Sequence, residues 1–220
     1  MNGATVSLAL GVAASPVPII AVLALLLGRR ARTAGVALLV GWAASIAIVV
    51  SVVTLIADRL PADALQGPRP VQGVIQLVLA ASAVVLAIVS WVRQPRRGAA
   101  PRLPAWIKAV DSMSFPVACL AGVVLIPLSP KNLLLTASAG IELGAAELSP
   151  TETVIAIAVF TIVATSTVLI PVAAYLIAGT RLHRLLEVLR LWLIRRNSVI
   201  TTILLLLLAV WLAANGIAIL

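Results

Sequence analysis

Lys131 lies in the tetrapeptide Ser129-Pro130-Lys131-Asn132, and no other charged residue occurs between Phe115 and Ile141. A lone ammonium at the centre of a bilayer costs roughly 2.5–3.5 kcal/mol on insertion scales. Such a residue is expected to face a cavity or a partner rather than lipid. A second Ser-Pro element, Ser15-Pro16-Val17-Pro18, sits in the middle of the first apolar run. Proline has no N–H, and its ring clashes with the carbonyl four residues back. Pro16 and Pro18 are therefore expected to free the carbonyls of Val12 and Ala14, and Pro127 and Pro130 those of Val123 and Ile126. In hydrocarbon such groups need internal partners or cavity water. Past each break a helix restarts, with its positive dipole end toward the break. Lys131, Asn132, Ser129 and Ser15 then make a candidate anion cradle, with free N–H groups completing it. Pro16, Pro18, Pro127 and Pro130 would act as hinges. The alternatives for Lys131 are an ion pair with Glu142 or Glu152, snorkelling, or a neutral amine whose titration couples transport to protons.

Other polar positions are less specific. Thr161, Thr165, Ser166 and Thr167 cluster in one apolar run and are candidates to line a path. The competing reading is that they bond their own helix backbone. Ala37, Gly41 and Ser45 form a small-xxx-small row, and Gly140 with Gly144 is a GxxxG pair; both predict close helix packing. Pro171 reads as a simple kink, Gln72 and Gln76 as interfacial, and His183 as a solvated or interfacial histidine. No nucleophile–base pair or paired acid set falls within a span, so no enzymatic activity is expected. No metal site and no cofactor are expected either.

The elements that must position these residues follow from composition. The chain has 220 residues, is 62% hydrophobic and only 10% charged, against about 25% charge in soluble domains. It reads as an all-α integral membrane protein. The net charge of +9 clusters in short loops between apolar runs, which argues against nucleic acid as a partner and for the membrane. The single cysteine, Cys119, excludes an intrachain disulfide, a CxxC pair and a thiol relay. No basic stretch precedes the first apolar run, so it reads as a true span and not as a signal peptide.

Six apolar segments are long enough to cross a bilayer, at about 20 residues each: roughly 5–28, 34–57, 72–92, 115–141, 151–178 and 198–219. The first connection carries Arg29, Arg30 and Arg32. The third carries Arg93, Arg96, Arg97, Arg102 and Lys108, and the fifth Arg181, Arg184, Arg190, Arg195 and Arg196. The second has Arg59 and Arg69 offset by Asp58 and Asp63, and near the fourth lie Glu142, Glu147 and Glu152. The positive-inside rule puts connections one, three and five in the cytoplasm and both termini outside. Leu103, Trp106, Ile107 and Val110 predict an interfacial helix in the third connection. Leu182, Leu185, Leu186, Leu189 and Leu193 predict another in the fifth. Arg29, Arg30, Arg32, Arg96, Arg97 and Arg184 are candidate contacts for anionic lipid head groups.

Three spans, a cytoplasmic linker and three spans place the two halves in opposite orientation. The organisation reads as a first three-helix repeat over 1–92, a basic linker over 93–114 and a second repeat over 115–220 that includes the basic segment 181–196. The Ser-Pro elements fall at equivalent places in the first span of each repeat. Paired interruptions in inverted halves point to the site of a transporter.

With those residues in hand, the chain resembles the GAP family, the sulfolipid-addressing (Sap) proteins of mycobacteria and relatives, placed in the LysE exporter superfamily. Ser15-Pro16-Val17-Pro18-Ile19-Ile20-Ala21-Val22, Arg29-Arg30-Ala31-Arg32 and Gly41-Trp42 resemble the start of that family. Ser129-Pro130-Lys131-Asn132-Leu133-Leu134-Leu135 resembles its second-half motif. Superfamily members carry a similar Asn-Pro-Lys element, where this chain has Ser129 in place of the Asn. The resemblance implies export of a cell-envelope lipid with an anionic or glycosylated head group across the bacterial inner membrane. It leaves two other readings open: LysE-type efflux of amino acids or other small solutes, and a non-transporting partner of a larger lipid exporter. A homodimer is a further expectation, because 220 residues are few to enclose a lipid-sized path.

Overall fold

The computed structural model describes residues 3–59, 69–92, 113–146 and 148–219. Among them every regular element is helical: α1 (Gly3–Ala13), α2 (Pro16–Leu26), α3 (Ala31–Arg59), α4 (Arg69–Val92), α5 (Phe115–Leu125), α6 (Pro130–Gly144), α7 (Pro150–Ala178), a 3-10 turn (Gly179–Leu182) and α8 (His183–Ile219). The linker arginines Arg93, Arg96, Arg97 and Arg102, with Lys108 and the amphipathic run from Leu103 to Val110, lie outside the described residues, as do Asp63 and Glu147.

One compact unit holds α1, α2, α3 as far as Asp58, α5, α6, α7 and the start of α8 as far as Ile194. A second holds α4 and the rest of α8 from Arg195. Among the described residues of the second unit, the buried side chains are mostly small: Ala80, Ala83 and Ala87 on α4, and Thr202 and Ala209 beside the larger Leu205 on α8. Small side chains let helix backbones approach, and Thr202 Oγ1 donates to the Ala87 carbonyl at 3.4 Å. The basic segment after the 3-10 turn and the apolar run that follows belong to the one helix α8.

In the first unit, α1 packs on α6 and α7, and α2 on α7. Helix α2 has no polar side chain, and a helix apolar all round belongs in a core; Pro16, Pro18 and every residue from Ile20 to Leu26 are buried. Helix α7 starts with a capping box, Ser149 and Glu152, and runs unbroken through Pro171.

By length and composition α3 and the stretch Pro150–Arg196 can each cross a membrane. The pairs α1–α2 and α5–α6, bent by 47° and 72° at their breaks, qualify as two more, for two to four candidate spans among the described residues. The expected breaks at Ser15-Pro16 and Ser129-Pro130 are thus where the helices bend.

Candidate functional site

The two breaks share a local design. Ser15 caps α2 and Ser129 caps α6, each in extended conformation with proline in the first helical turn, where its missing N–H costs nothing. Each serine turns its own N–H back to the carbonyl three residues earlier, Ser15 to Val12 and Ser129 to Ile126, both at 3.1 Å. This corrects one expectation: the carbonyls of Val12 and Ile126 are not left free, because the tightened turn before each proline uses them. The carbonyl of Val123, opposite Pro127, is freed as expected, and Ser45 Oγ from α3 donates to it at 2.8 Å.

The serine side chains differ. Ser129 Oγ faces the Asn132 N–H of its own helix at a long 3.5 Å. Ser15 Oγ makes no cap bond and donates instead to Asn132 Oδ1 at 2.8 Å. That buried bond joins the N-terminal ends of α2 and α6, so two positive helix ends meet at one point. Lys131, one residue before Asn132, is half-buried there, and its Nζ donates to the Gly11 carbonyl at 2.8 Å. Gly11 is on the last turn of α1, where the break leaves carbonyls without helical donors. The next such carbonyl, Ala13, accepts from Thr167 Oγ1 of α7 at 2.7 Å.

Lys131 therefore has a backbone carbonyl partner and, among the described residues, no acidic one. Glu142 lies three turns further along α6 and accepts from Thr5 Oγ1 of α1 at 3.0 Å. Glu152 is held in the capping box with Ser149. Neither carboxylate meets the lysine.

Helix α3 holds the frame around these contacts. A Cβ added at Gly41 would fall on the carbonyl oxygen of Cys119, and one added at Gly122 on that of Leu38. The α3 and α5 backbones cross there in direct contact. On α6 a Cβ at Gly140 would stand 2.7 Å from Val53 Cβ, and one at Gly144 2.6 Å from Ala57 Cβ. The small-residue rows expected to pack closely do so, and Ser45 of that row also serves the Val123 carbonyl. Three buried donors along α3 and α6, Trp42 Nε1, Thr54 Oγ1 and Thr136 Oγ1, have no hydrogen-bond partner among the described residues.

The proposed path residues fare differently. Thr161 and Thr165 donate to the carbonyls of Ile157 and Thr161, and Ser166 to that of Val163. Their hydroxyls serve their own helix. Thr167, next in the same cluster, is the one that reaches across to another helix. Arg29, Arg30, Arg32 and Arg184 are exposed, whereas Arg96 and Arg97 lie outside the described residues. His183 is half-buried rather than simply solvated: its ring stacks on Tyr175 with centroids 5.7 Å apart, and its Nε2 lies 3.2 Å from the tyrosine hydroxyl. Sequence reading named Thr167 only within its hydroxyl cluster, and it missed Gly11 and the Thr5–Glu142 pair as part of this constellation. The Gly11 carbonyl loses its helical donor because the Ser15 N–H turns to Val12 instead, which no sequence signal announces.

Long apolar helices, glycine-to-backbone crossings and a polar cluster at two helix breaks define a helical membrane protein. Residues 5–218 match the family model described as Sap, sulfolipid-1-addressing protein, and the chain belongs to that family. No curated protein and no solved structure matches the chain.

Proposed function

We propose that this protein is a transporter that exports or flips a cell-envelope lipid with an anionic head group across the bacterial inner membrane, and that Lys131 receives the head group. The observation that carries this reading is the setting of Lys131. Lys131 stands in the first turn of α6, one residue from the Ser15–Asn132 bond that joins the N-termini of α2 and α6. Its ammonium rests on the Gly11 carbonyl at the end of α1, and that one partner leaves two of its three N–H donors for a ligand. Two helix N-termini and an ammonium favour an anion over a cation. A sulfate ester offers that charge with several acceptor oxygens, and the family's name points to sulfolipid. Asn132 and Ser15 hold the two helix ends together, Ser129 shapes the turn, and the prolines keep the breaks open.

In this reading the bent pairs α1–α2 and α5–α6 are equivalent members of two inverted three-helix repeats, six spans in all, with both termini outside. The paired serine caps and matching Ser15–Val12 and Ser129–Ile126 turns support that equivalence. The exposed arginines around Arg30 would meet anionic head groups on the cytoplasmic face. The chain acts by moving lipid and not by chemical catalysis, as a homodimer or beside a larger exporter.

The test is the surface and whole-cell lipid profile of a deletion strain complemented with wild type or Lys131→Ala. One lipid class should be retained inside in the deletion, restored by wild type and not by a well-expressed Lys131→Ala. Equal restoration by both would remove Lys131 from the mechanism, and an unchanged lipid profile in the deletion would favour solute efflux.

A further inference from the structure

Four hydrogen bonds tie the first break and α1 to the second half of the chain: Thr5 to Glu142, the Gly11 carbonyl to Lys131, the Ala13 carbonyl to Thr167, and Ser15 to Asn132. Two of them, at Glu142 and Lys131, run along the seam between α1 and α6, and the Ser15–Asn132 bond closes the seam at the break. On α6 the positions facing this seam repeat at helical spacing, Lys131, Leu135, Ser138 and Glu142. Residues eleven apart return to within about 20° of the same face and lie about 16 Å apart along the axis. That is about half the ~30 Å hydrocarbon thickness. Leu135 confirms the facing, since a Cβ on Gly11 would touch its Cδ1 at 3.1 Å.

Helix α1 can part from α6 without a backbone clash. A Cβ at Gly3 meets nothing within 4 Å, and one at Gly11 meets first a leucine side chain. Its contact at Gly11 is with the flexible end of a leucine. The ties across the seam are hydrogen bonds whose groups can take other partners. By contrast, the glycines of α3, α5 and α6 are interlocked with backbone and cannot slide.

We infer that the α1–α6 seam is the head-group path: α1 parts from α6, and the head group moves along the opened polar face from Lys131 past Ser138 to Glu142 while the acyl chains stay in lipid. The inference rests on the lipid-transport reading above and adds the route. Thr5 lines the α1 side, and Ser15 stands at the break where the path begins. Glu142 at the far end repels an anion arriving from Lys131 and so favours its release.

Cysteine chemistry tests this on the full-length protein in cells, in a Cys119→Ser background. Ser138→Cys should react with a membrane-impermeant methanethiosulfonate during turnover, whereas Leu134→Cys, on the exposed side of the same helix, should not. Protection of Ser138→Cys equal to that of Leu134→Cys would overturn the route. In the double variant Gly11→Cys/Leu135→Cys, whose side chains face each other across the seam, a short reversible bis-methanethiosulfonate bridge should abolish lipid export, and reduction should restore it. Undiminished export by the bridged protein would also overturn it. If the double variant does not export before bridging, Ser138→Cys labelling alone decides. Failure of the route with Lys131→Ala still export-dead leaves the transport reading standing; normal export by Lys131→Ala removes the reading on which the route depends.

Discussion

Helices α1 and α3 both pack against α6, and they do so by opposite means. On the α3 side, glycines of α6 lie against Val50, Val53, Thr54 and Ala57, with the Gly41–Gly122 crossing beside them. Contact there is against backbone atoms and the Cβ atoms of Val53 and Ala57, which no rotamer change can move. On the α1 side, a lysine and a glutamate of α6 reach a carbonyl and a hydroxyl of a short helix, and Asn132 meets Ser15 at the break beyond it. Close packing has one arrangement; hydrogen bonds can be exchanged for others of similar strength. The difference gives the molecule a fixed frame and a strut that polar groups hold in place. The charged residues of the site belong to the strut side, where a ligand can compete.

The largest effect is expected from breaking the frame. Leucine at Gly122 would have to displace the backbone of α3, at a cost above the ~1–3 kcal/mol of ordinary overpacking, and folded protein should disappear from the membrane fraction. Alanine at Gly11 meets only Leu135 Cδ1 at 3.1 Å and should leave the yield of folded protein near wild type. Similar losses at both positions would erase the distinction between the seams.

Lys131→Ala should leave folding in detergent intact and abolish export, because the site loses its charge while the frame keeps its contacts. A melting temperature that falls as far as that of a frame variant would make the lysine a structural tie. Ser45→Ala should cost about 1–2 kcal/mol, above the ~0.6 kcal/mol average for an interhelical hydrogen bond in a membrane, since Pro127 leaves the Val123 carbonyl no helical donor. Denaturation in mixed micelles measures this, and a neutral result would show that the carbonyl finds another partner. The smallest effect belongs to Thr167→Val, about 0.6 kcal/mol, with a change in export rate larger than the change in stability if α1 moves. No change in export would show that the Ala13 tie is passive.

The breaks were legible because Ser-Pro is a helix-start signal. Ser15, Ser129 and Ser149 all cap helices with proline next. What separates a break from an ordinary start is the helix that ends just before it, which the unbroken apolar runs around Ser15 and Ser129 already implied. The glycine rows were legible for a similar reason: small residues at a spacing of four mark a helix face made for close approach. The path residues Thr161, Thr165 and Ser166 were not separable from Thr167 in sequence. A hydroxyl on a helix can bond its own backbone or a neighbour, and only the neighbour's position decides which.

The apolar composition and the lone charge beside a proline set the helical membrane character, the places where two helices must break and the family to which the chain belongs. These are local or compositional properties, carried by covalent geometry and by the cost of burying polar groups in hydrocarbon. Tertiary structure alone decided the partners: that Lys131 meets the Gly11 carbonyl instead of an acid, that Glu142 meets Thr5, that Ser15 gives up capping to hold Asn132, and that Ser45 covers the carbonyl freed by Pro127. Each pairing joins residues more than 70 positions apart. A freed carbonyl or an unpaired amine requires a partner but does not say which one, and that choice belongs to the packing of helices distant in the chain.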